Sequence, residues 1–373
     1  MSKSNIPQRV KIELAAKAGG RCEICGEYLF SDFFHQNVHL EENAHILPDS
    51  NKGPRYKEIN KTPGLKGGET VDNLMFLCPK CHTAIDKNPG FYNIDSLLKI
   101  KKEHEETVYQ CGDLIKNKKY VKAVKFTSYI GQNEINIGNQ EIINALFANS
   151  ISYKDTIIDL STSSKRLKGE TLFHYYSDLS RQLERNYKDK IANGLSSQGP
   201  TVITVFALAP QPLLIKLGRL FNNTYPLYIF NKTRRTNWNP VPRKELLKYS
   251  IIEPKEIRKD KIVLSLEISG KTTDSEIGKG DIWRITIDNP RFDAVSCKED
   301  IDNFGSIVET FFARIKDIYG TDKEISVYLA LPQSLAVKFG SVYMPRAYNK
   351  LILYDKDKTI HEKICFQKAL IIS

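Results

Sequence analysis

The period of apolar and polar positions changes several times along this chain. Residues 8–18 (QRVKIELAAKA) carry a helical pattern that Gly19 and Gly20 close. Residues 38–46 form an extended run in which alternate side chains share a face, so that His39, Glu41, Asn43 and His45 project together. A second helical segment begins near Cys78 and stops at the Asn88-Pro89-Gly90 turn. Residues 95–118 predict a long, charged amphipathic helix; its Lys99, Lys101 and Lys102 either reach phosphate groups or form a solvated face. The first part ends near residue 120. Beyond it short β-branched runs alternate with helical ones, the pattern of α/β layering.

That second part contains a repeat. Residues 201–219 read TVITVFALAPQPLLIKLGR and residues 323–341 read KEISVYLALPQSLAVKFGS, so Pro210-Gln211, Lys216 and Gly218 match Pro332-Gln333, Lys338 and Gly340. In each copy an apolar strand runs into Pro-Gln, a helix follows, and another apolar strand comes next (226–231 and 351–355). Each copy is also preceded by a candidate strand that ends in small polar residues, at 157–165 and 262–271. A period of about 120 residues exceeds any solenoid unit and reads as two Rossmann-like lobes born of a duplication. In such sheets, ligands settle at the carboxyl ends of the strands, where helix N-termini attract anions.

The cysteines add chemistry to the first part. Two CxxC pairs, Cys22/Cys25 and Cys78/Cys81, have the spacing that turns both thiolates of a knuckle toward one tetrahedral Zn²⁺. A redox pair or four free thiols is the other reading, but redox motifs rarely come as two matched copies. The long gap between the pairs brackets an inserted element that includes His45. Of the seven cysteines, the remaining Cys111, Cys297 and Cys365 are scattered, which argues against a disulfide framework and for a reducing cytoplasm. No apolar run approaches the roughly 20 residues of a membrane span, and no leader pattern follows the start, so no membrane partner is expected. With 373 residues the chain holds two or three domains, and a net charge of +11 biases it toward polyanions without saying which.

Together, the two knuckles, Ala44-His45-Ile46, Asn73 and Cys78-Pro79-Lys80-Cys81-His82 resemble the HNH endonuclease family. The resemblance implies a zinc-stapled ββα-metal module in which His45 is the general base, suited to the task by an imidazole pKa near neutrality. It implies that Asn73 holds the base-bearing segment and that His82 is the second histidine of the motif. Asp86 lies one helical turn beyond His82, so both can face Mg²⁺ or another divalent ion. One departure stands out: many family members place Asp or His just before the base, and here that residue is Ala44. Glu41 or Asn43 is then an alternative source of a ligand.

The paired LAPQPLLIKLG and LALPQSLAVKFG signatures resemble the SAVED domain, a fused pair of CARF-like lobes that senses cyclic oligonucleotides. The order of parts is similar to HNH–SAVED effectors of cyclic-oligonucleotide-based anti-phage signalling (CBASS). The expected fold class is thus a multidomain α+β / α/β chain, with an HNH domain over 1–120, a linker and start of the sensor over 121–150, and SAVED over 151–373 in two pseudo-repeats, about 151–250 and 251–373. The implied activity is an endodeoxyribonuclease that cleaves double-stranded DNA once a cyclic di- or trinucleotide binds and drives homo-oligomer formation. Candidate ligand residues are Ser161, Thr162, Lys165 and Arg166 after the first lobe's strand, and Ser269 and Lys271 in the comparable stretch of the second. Gln211 and Gln333 open the repeated helices. Arg234 and Arg235 suit phosphates, Trp238 either stacks on a base or anchors the core, and Arg346 follows the second repeat's helix. Two other readings stand: a restriction-type HNH nuclease that reads modified DNA, and a non-catalytic, zinc-anchored nucleotide sensor, for which Ala44 speaks.

Overall fold

The computed structural model describes residues 6–33, 36–48, 53–57, 67–116, 121–149, 151, 156–192, 202–233, 237–238, 245–358 and 364–373. The chain divides into two compact units, Met1–Lys118 and Lys119–Ser373.

In the first unit, helix α1 (Gln8–Lys17) buries Leu14, and Gly19 and Gly20 follow it with positive φ, as the sequence predicts. A short hairpin, β1 (Phe30–Phe33) with β2 (Gln36–His39), precedes strand β3 (Glu42–His45). Strand β3 pairs antiparallel with β4 (Leu74–Leu77), His45 standing opposite Leu74. All four residues of β4 are buried, which explains its unbroken LMFL apolar run. Helix α2 (Pro79–Lys87) starts one residue later: Cys78 caps it by accepting the Cys81 N–H at 3.4 Å, and Pro79 fills the first turn. Helix α3 (Ile94–Lys116) completes the unit. The core gathers Leu14, Ala44, Ile46, the β4 side chains, Ile85 and Leu97.

Two expectations change here. The run over 38–46 is not one strand, because the chain leaves the β1–β2 hairpin at Leu40 and Glu41 and pairs afresh with β4 from Glu42. Lys101 does not offer itself to phosphates: it is 5% exposed and ion-paired with Glu23 (3.4 Å) and Glu105 (2.6 Å).

The second unit holds two sheets. The first has the order β6-β5-β7-β8, all parallel, from β5 (Val121–Thr127), β6 (Ile158–Asp159), β7 (Val202–Leu208) and β8 (Leu227–Ile229). Helices α4 (Asn139–Ala148), α5 (Leu172–Tyr187) and α6 (Gln211–Phe221) join these strands. The second sheet, from β9 (Ser250–Ile252), β10 (Ile262–Glu267), β11 (Asp281–Thr286), β12 (Ile325–Ala330), β13 (Leu351–Lys358) and β14 (Ile364–Ile372), has the order β14-β13-β12-β10-β11-β9. Its four inner strands are parallel, and β9 and β14 are antiparallel edges. Helix α7 (Lys298–Tyr319) leads into β12 and α8 (Gln333–Val342) leads out of it.

The order β6-β5-β7-β8 in one sheet and β11-β10-β12-β13 in the other is the same order twice, which makes the duplication a matter of topology as well as sequence. It also corrects an alignment. The counterpart of β10 is β5, not the stretch at 157–165, so the first lobe opens at Val121, inside the segment read as linker and start of the sensor. In VKAVKFT, Lys122 and Lys125 interrupt the apolar run, whereas β10 is buried throughout.

The two lobes meet where α6 and α8 cross. A Cβ at Gly218 would run into the Val337 carbonyl oxygen and come within 2.8 Å of Ser341 N; one at Gly340 would run into the Ile215 carbonyl and come within 2.9 Å of Arg219 N. Positions 218 and 340, and 215 and 337, are equivalent in the repeat, so the crossing is a pseudo-two-fold. The repeated lysines fasten each crossing helix to its own lobe, Lys216 to Glu184 of α5 and Lys338 to Asp302 of α7 (3.2 Å). Among the described residues, no helix is long and apolar enough to cross a membrane.

Candidate nuclease centre and ligand cavity

The four cysteine sulfurs of the first unit lie within 4.8 Å of one another, with Cys25 Sγ and Cys78 Sγ 3.9 Å apart. Tetrahedral zinc with bonds of about 2.3 Å sets its sulfurs about 3.8 Å from each other, so the set fits Zn²⁺. Burial, then the neighbouring thiols, push the Cys81 thiol up. A divalent cation at the centre reverses that cost, because coordinated thiols are deprotonated outright.

The hairpin and helix beside this cluster carry the histidines. Asn73 is fully buried at the end of a 3₁₀ turn, Val71–Asn73. Its Oδ1 accepts the Leu47 N–H at 2.8 Å, and its amide donates to the carbonyls of Leu47 (3.1 Å) and Gly68 (3.0 Å). Asn73 O accepts the Ile46 N–H at 2.8 Å. The exit of β3, and hence His45, is thereby clamped to β4. His45 is partly buried, its Nε2 3.5 Å from a Glu69 carboxylate oxygen. Neither Glu69 oxygen finds a hydrogen-bond donor.

His82 sits on α2 and meets β3: its Nδ1 lies 2.8 Å from Glu42 Oε2. Its Nε2 is 3.5 Å from Asp86 Oδ2, which is the one-turn spacing read from the sequence. The other oxygen of Asp86 meets an arginine. Arg55, with φ +68° and 6% exposed, reaches Asp86 Oδ1 at 3.2 Å while it donates to the carbonyls of His45 (3.1 Å), Ile46 (3.1 Å) and Ile85 (2.9 Å). One guanidinium thus ties the base strand to the end of α2. Sequence reasoning missed Arg55, Glu69 and Glu42. The first two lie in irregular chain with no pattern to find them. Glu42 has a signal, since it shares a face of β3 with Ala44. Among the described residues, the cysteines are the only group of three or more His, Cys, Asp or Glu clustered this closely.

In the second unit a cavity of about 460 Å³ opens at the carboxyl ends of β7 and β12. It is lined from the first lobe by Tyr129, Arg166, Tyr175, Tyr176 and Gln211 and from the second by Phe292, Gln333, Asp355 and Asp357. Arg166 donates to the Glu170 carbonyl (2.7 and 2.9 Å) and pairs with Asp357. Gln211 Oε1 accepts the Leu331 N–H at 2.9 Å, and Gln333 Nε2 donates to Lys232 O at 2.6 Å, so each repeated glutamine reaches out of its own helix. Burial pushes the Asp355 carboxyl up to about 6, next to the Tyr176 hydroxyl at 3.4 Å.

Ser161 and Thr162 line an adjoining cavity of about 470 Å³ and are bonded inward, to Thr127 and Ser128. Lys165, Ser269 and Lys271 line neither cavity; Lys165 and Lys271 are exposed. Trp238 is 1% exposed, set edge-on to Phe206 and donating to Glu141 at 3.1 Å, so it anchors the core and has no face for a base. Arg346 is exposed in the α8–β13 connection, at the amino ends of the parallel strands and away from the cavity. Arg234 and Arg235 lie outside the described residues.

A hairpin and helix with two histidines beside a Cys₄ cluster are thus joined in one chain to a duplicated Rossmann-like unit. The HNH endonuclease family model matches residues 22–88. The model of the SMODS-associated and fused to various effectors sensor domain, SAVED, matches residues 179–372, over half of the chain. The chain belongs to the SAVED family. Among solved structures it is similar to the Acinetobacter baumannii Cap4 SAVED/CARF-domain containing receptor with the cyclic trinucleotide 2'3'3'-cAAA (TM-score 0.41, 9% identity, 78% of this chain and 61% of that one). It is also similar to the Moraxella osloensis Cap4 SAVED/CARF-domain containing receptor (TM-score 0.39, 9% identity, 81% and 68%). The chain spans about three fifths of the length of the Acinetobacter receptor. No curated protein matches it.

Proposed function

We propose that this chain is an anti-phage effector, a DNA endonuclease held latent until a cyclic di- or trinucleotide occupies the cavity between the SAVED lobes. The observation that supports this reading is the match, in one chain, of the HNH endonuclease model over residues 22–88 and the SAVED model over residues 179–372. Ligand-bound chains associate and bring HNH modules together on double-stranded DNA, in proportion to the ligand's differential affinity for the associated state.

At the nuclease centre, His45 takes the proton of the attacking water. A Glu69 carboxylate oxygen stands 3.5 Å from its Nε2. Asn73 and Arg55 hold the strand so that the ring keeps its aim. His82 and the carboxylate beside it would hold a divalent ion, which would supply positive charge to the scissile phosphate and the leaving oxygen. In the sensor, Tyr129 and Phe292 offer faces for bases and Arg166 a partner for phosphate.

The test incubates purified protein with plasmid, Mg²⁺ and a panel of cyclic oligonucleotides, with light scattering in parallel. We expect one nucleotide to produce both a larger species and cleavage, and His45→Ala to lower the rate by about two to four orders of magnitude with ligand binding intact. Full cleavage without any nucleotide, at unchanged mass, favours the restriction-type reading. No cleavage with any of them, despite ligand binding, favours a non-catalytic sensor.

A further inference from the structure

Ala44 stands where many HNH proteins carry a metal-binding side chain, and the structure shows which side chain shares that face of β3 instead. Strand β3 alternates, so Glu42 and Ala44 share a face, and Glu42 reaches His82 on α2. Ala44 itself is 1% exposed, packed in the core. Glu42 and His82 remain open to solvent, with side chains 46% and 30% exposed, as a site that must admit a phosphate requires.

The distance suits two ligands of one ion. In an octahedral site with bonds of about 2.1 Å, neighbouring donor atoms lie about 3 Å apart. Glu42 Oε2 and His82 Nδ1 are 2.8 Å apart. The other ring nitrogen, Nε2, faces Asp86 at 3.5 Å, and Arg55 holds that carboxylate from its far side at 3.2 Å. Metal-bound histidines characteristically turn their second nitrogen to a carboxylate, which sets the ring and its tautomer. A guanidinium against Asp86 opposes a second cation there; no cation is paired with Glu42 among the described residues. We propose that the divalent ion of this centre is held by Glu42 and His82, with Asp86 as the group that orients His82 rather than as a ligand. The site rests on the HNH reading above. One carboxylate and one imidazole leave the remaining positions to water and a DNA phosphate, which is the usual way for Mg²⁺ to bind.

The experiment is a Mn²⁺ titration of the full chain, followed by the EPR signal of free Mn²⁺, on wild type, Glu42→Gln, Glu42→Asp and Asp86→Asn, each checked for unchanged zinc content and melting. We expect Glu42→Gln to weaken Mn²⁺ binding about a hundredfold or more and Asp86→Asn, which still accepts from Nε2, only about tenfold, the scale of an outer partner. Glu42→Asp, which keeps the charge on a shorter arm, falls between wild type and Glu42→Gln. Wild-type affinity in Glu42→Gln, a larger loss in Asp86→Asn, or no Mn²⁺ binding by wild type overturns the assignment. The readout is independent of DNA. A chain that binds Mn²⁺ through Glu42 yet cuts nothing keeps this site and removes the nuclease reading.

Discussion

Asp355 is the group through which ligand binding in the proposed cavity should respond to pH. Its folded pKa is raised by burial from an ordinary 3.8 to about 6. The stability it contributes is therefore present below about pH 4 and is lost as pH rises through about 6. The groups that face it are Tyr176 from α5, and Asp357, Lys356 and Arg166 around the same cavity. A phosphate-bearing ligand enters more readily beside an uncharged Asp355 than a charged one. We expect affinity for the activating nucleotide to rise as pH falls from about 7 to 5, by at most about tenfold per pH unit, one proton's worth. Calorimetry of wild type and Asp355→Asn checks this: the variant should bind more tightly at neutral pH with a flatter profile. A flat wild-type profile would show that no ligand charge comes near this carboxyl.

The α6–α8 crossing makes the strongest statement at the level of elements. Replacing Gly218 or Gly340 by Ala improves helix propensity by about 1 kcal/mol. The added methyl nonetheless meets backbone, which cannot rotate away, and such overpacking costs about 1–3 kcal/mol and more where nothing yields. We expect each variant to lower the melting temperature of the second unit, with a double variant no better than additive. Gly270→Ala, where a Cβ meets nothing within 4 Å, is the control and should be nearly silent. A neutral Gly218→Ala would mean that the helices stand further apart. This crossing was half legible beforehand. The matched Pro-Gln, Lys and Gly positions disclosed two equivalent helices, because copied sequence keeps its spacing. That they touch each other was not legible, since repetition says nothing about which faces meet. Strand β5 is hard to read for a different reason: the half-buried Lys122 and Lys125 fall on opposite faces and dilute the apolar signal that a buried strand such as β10 gives.

At the scale of the molecule, two units with separate cores should unfold separately. Only one of them holds the Cys₄ cluster, and structural zinc contributes about 10–16 kcal/mol of apparent folding free energy. We expect Cys78→Ser, which removes a zinc ligand while its hydroxyl can still cap α2, to abolish one calorimetric transition and leave the other in place. Elemental analysis of wild type should give one Zn²⁺ per chain that mild EDTA does not remove. Both transitions moving together, or a zinc-free active preparation, would refute this. The division of labour was the most legible property of the sequence. CxxC spacing is fixed by the geometry of a single ion, so Cys22, Cys25, Cys78 and Cys81 read out directly. Side chains that depend on loop conformation did not: Arg55 works through a left-handed backbone and four oxygens drawn from two elements, and no linear pattern encodes that.

The glycine crossing also constrains how such a chain can evolve. After duplication, two copies drift independently, and here Pro212 stands against Ser334, Leu214 against Ala336 and Leu217 against Phe339. Drift of that kind is usually rescued by a complementary change in the neighbour. At Gly218 and Gly340 the obstacle is a carbonyl oxygen of the opposite copy, which every amino acid carries. No substitution in one copy can make room for a side chain in the other, so these two positions have no compensated route to divergence and remain joined in their history however far the lobes around them part.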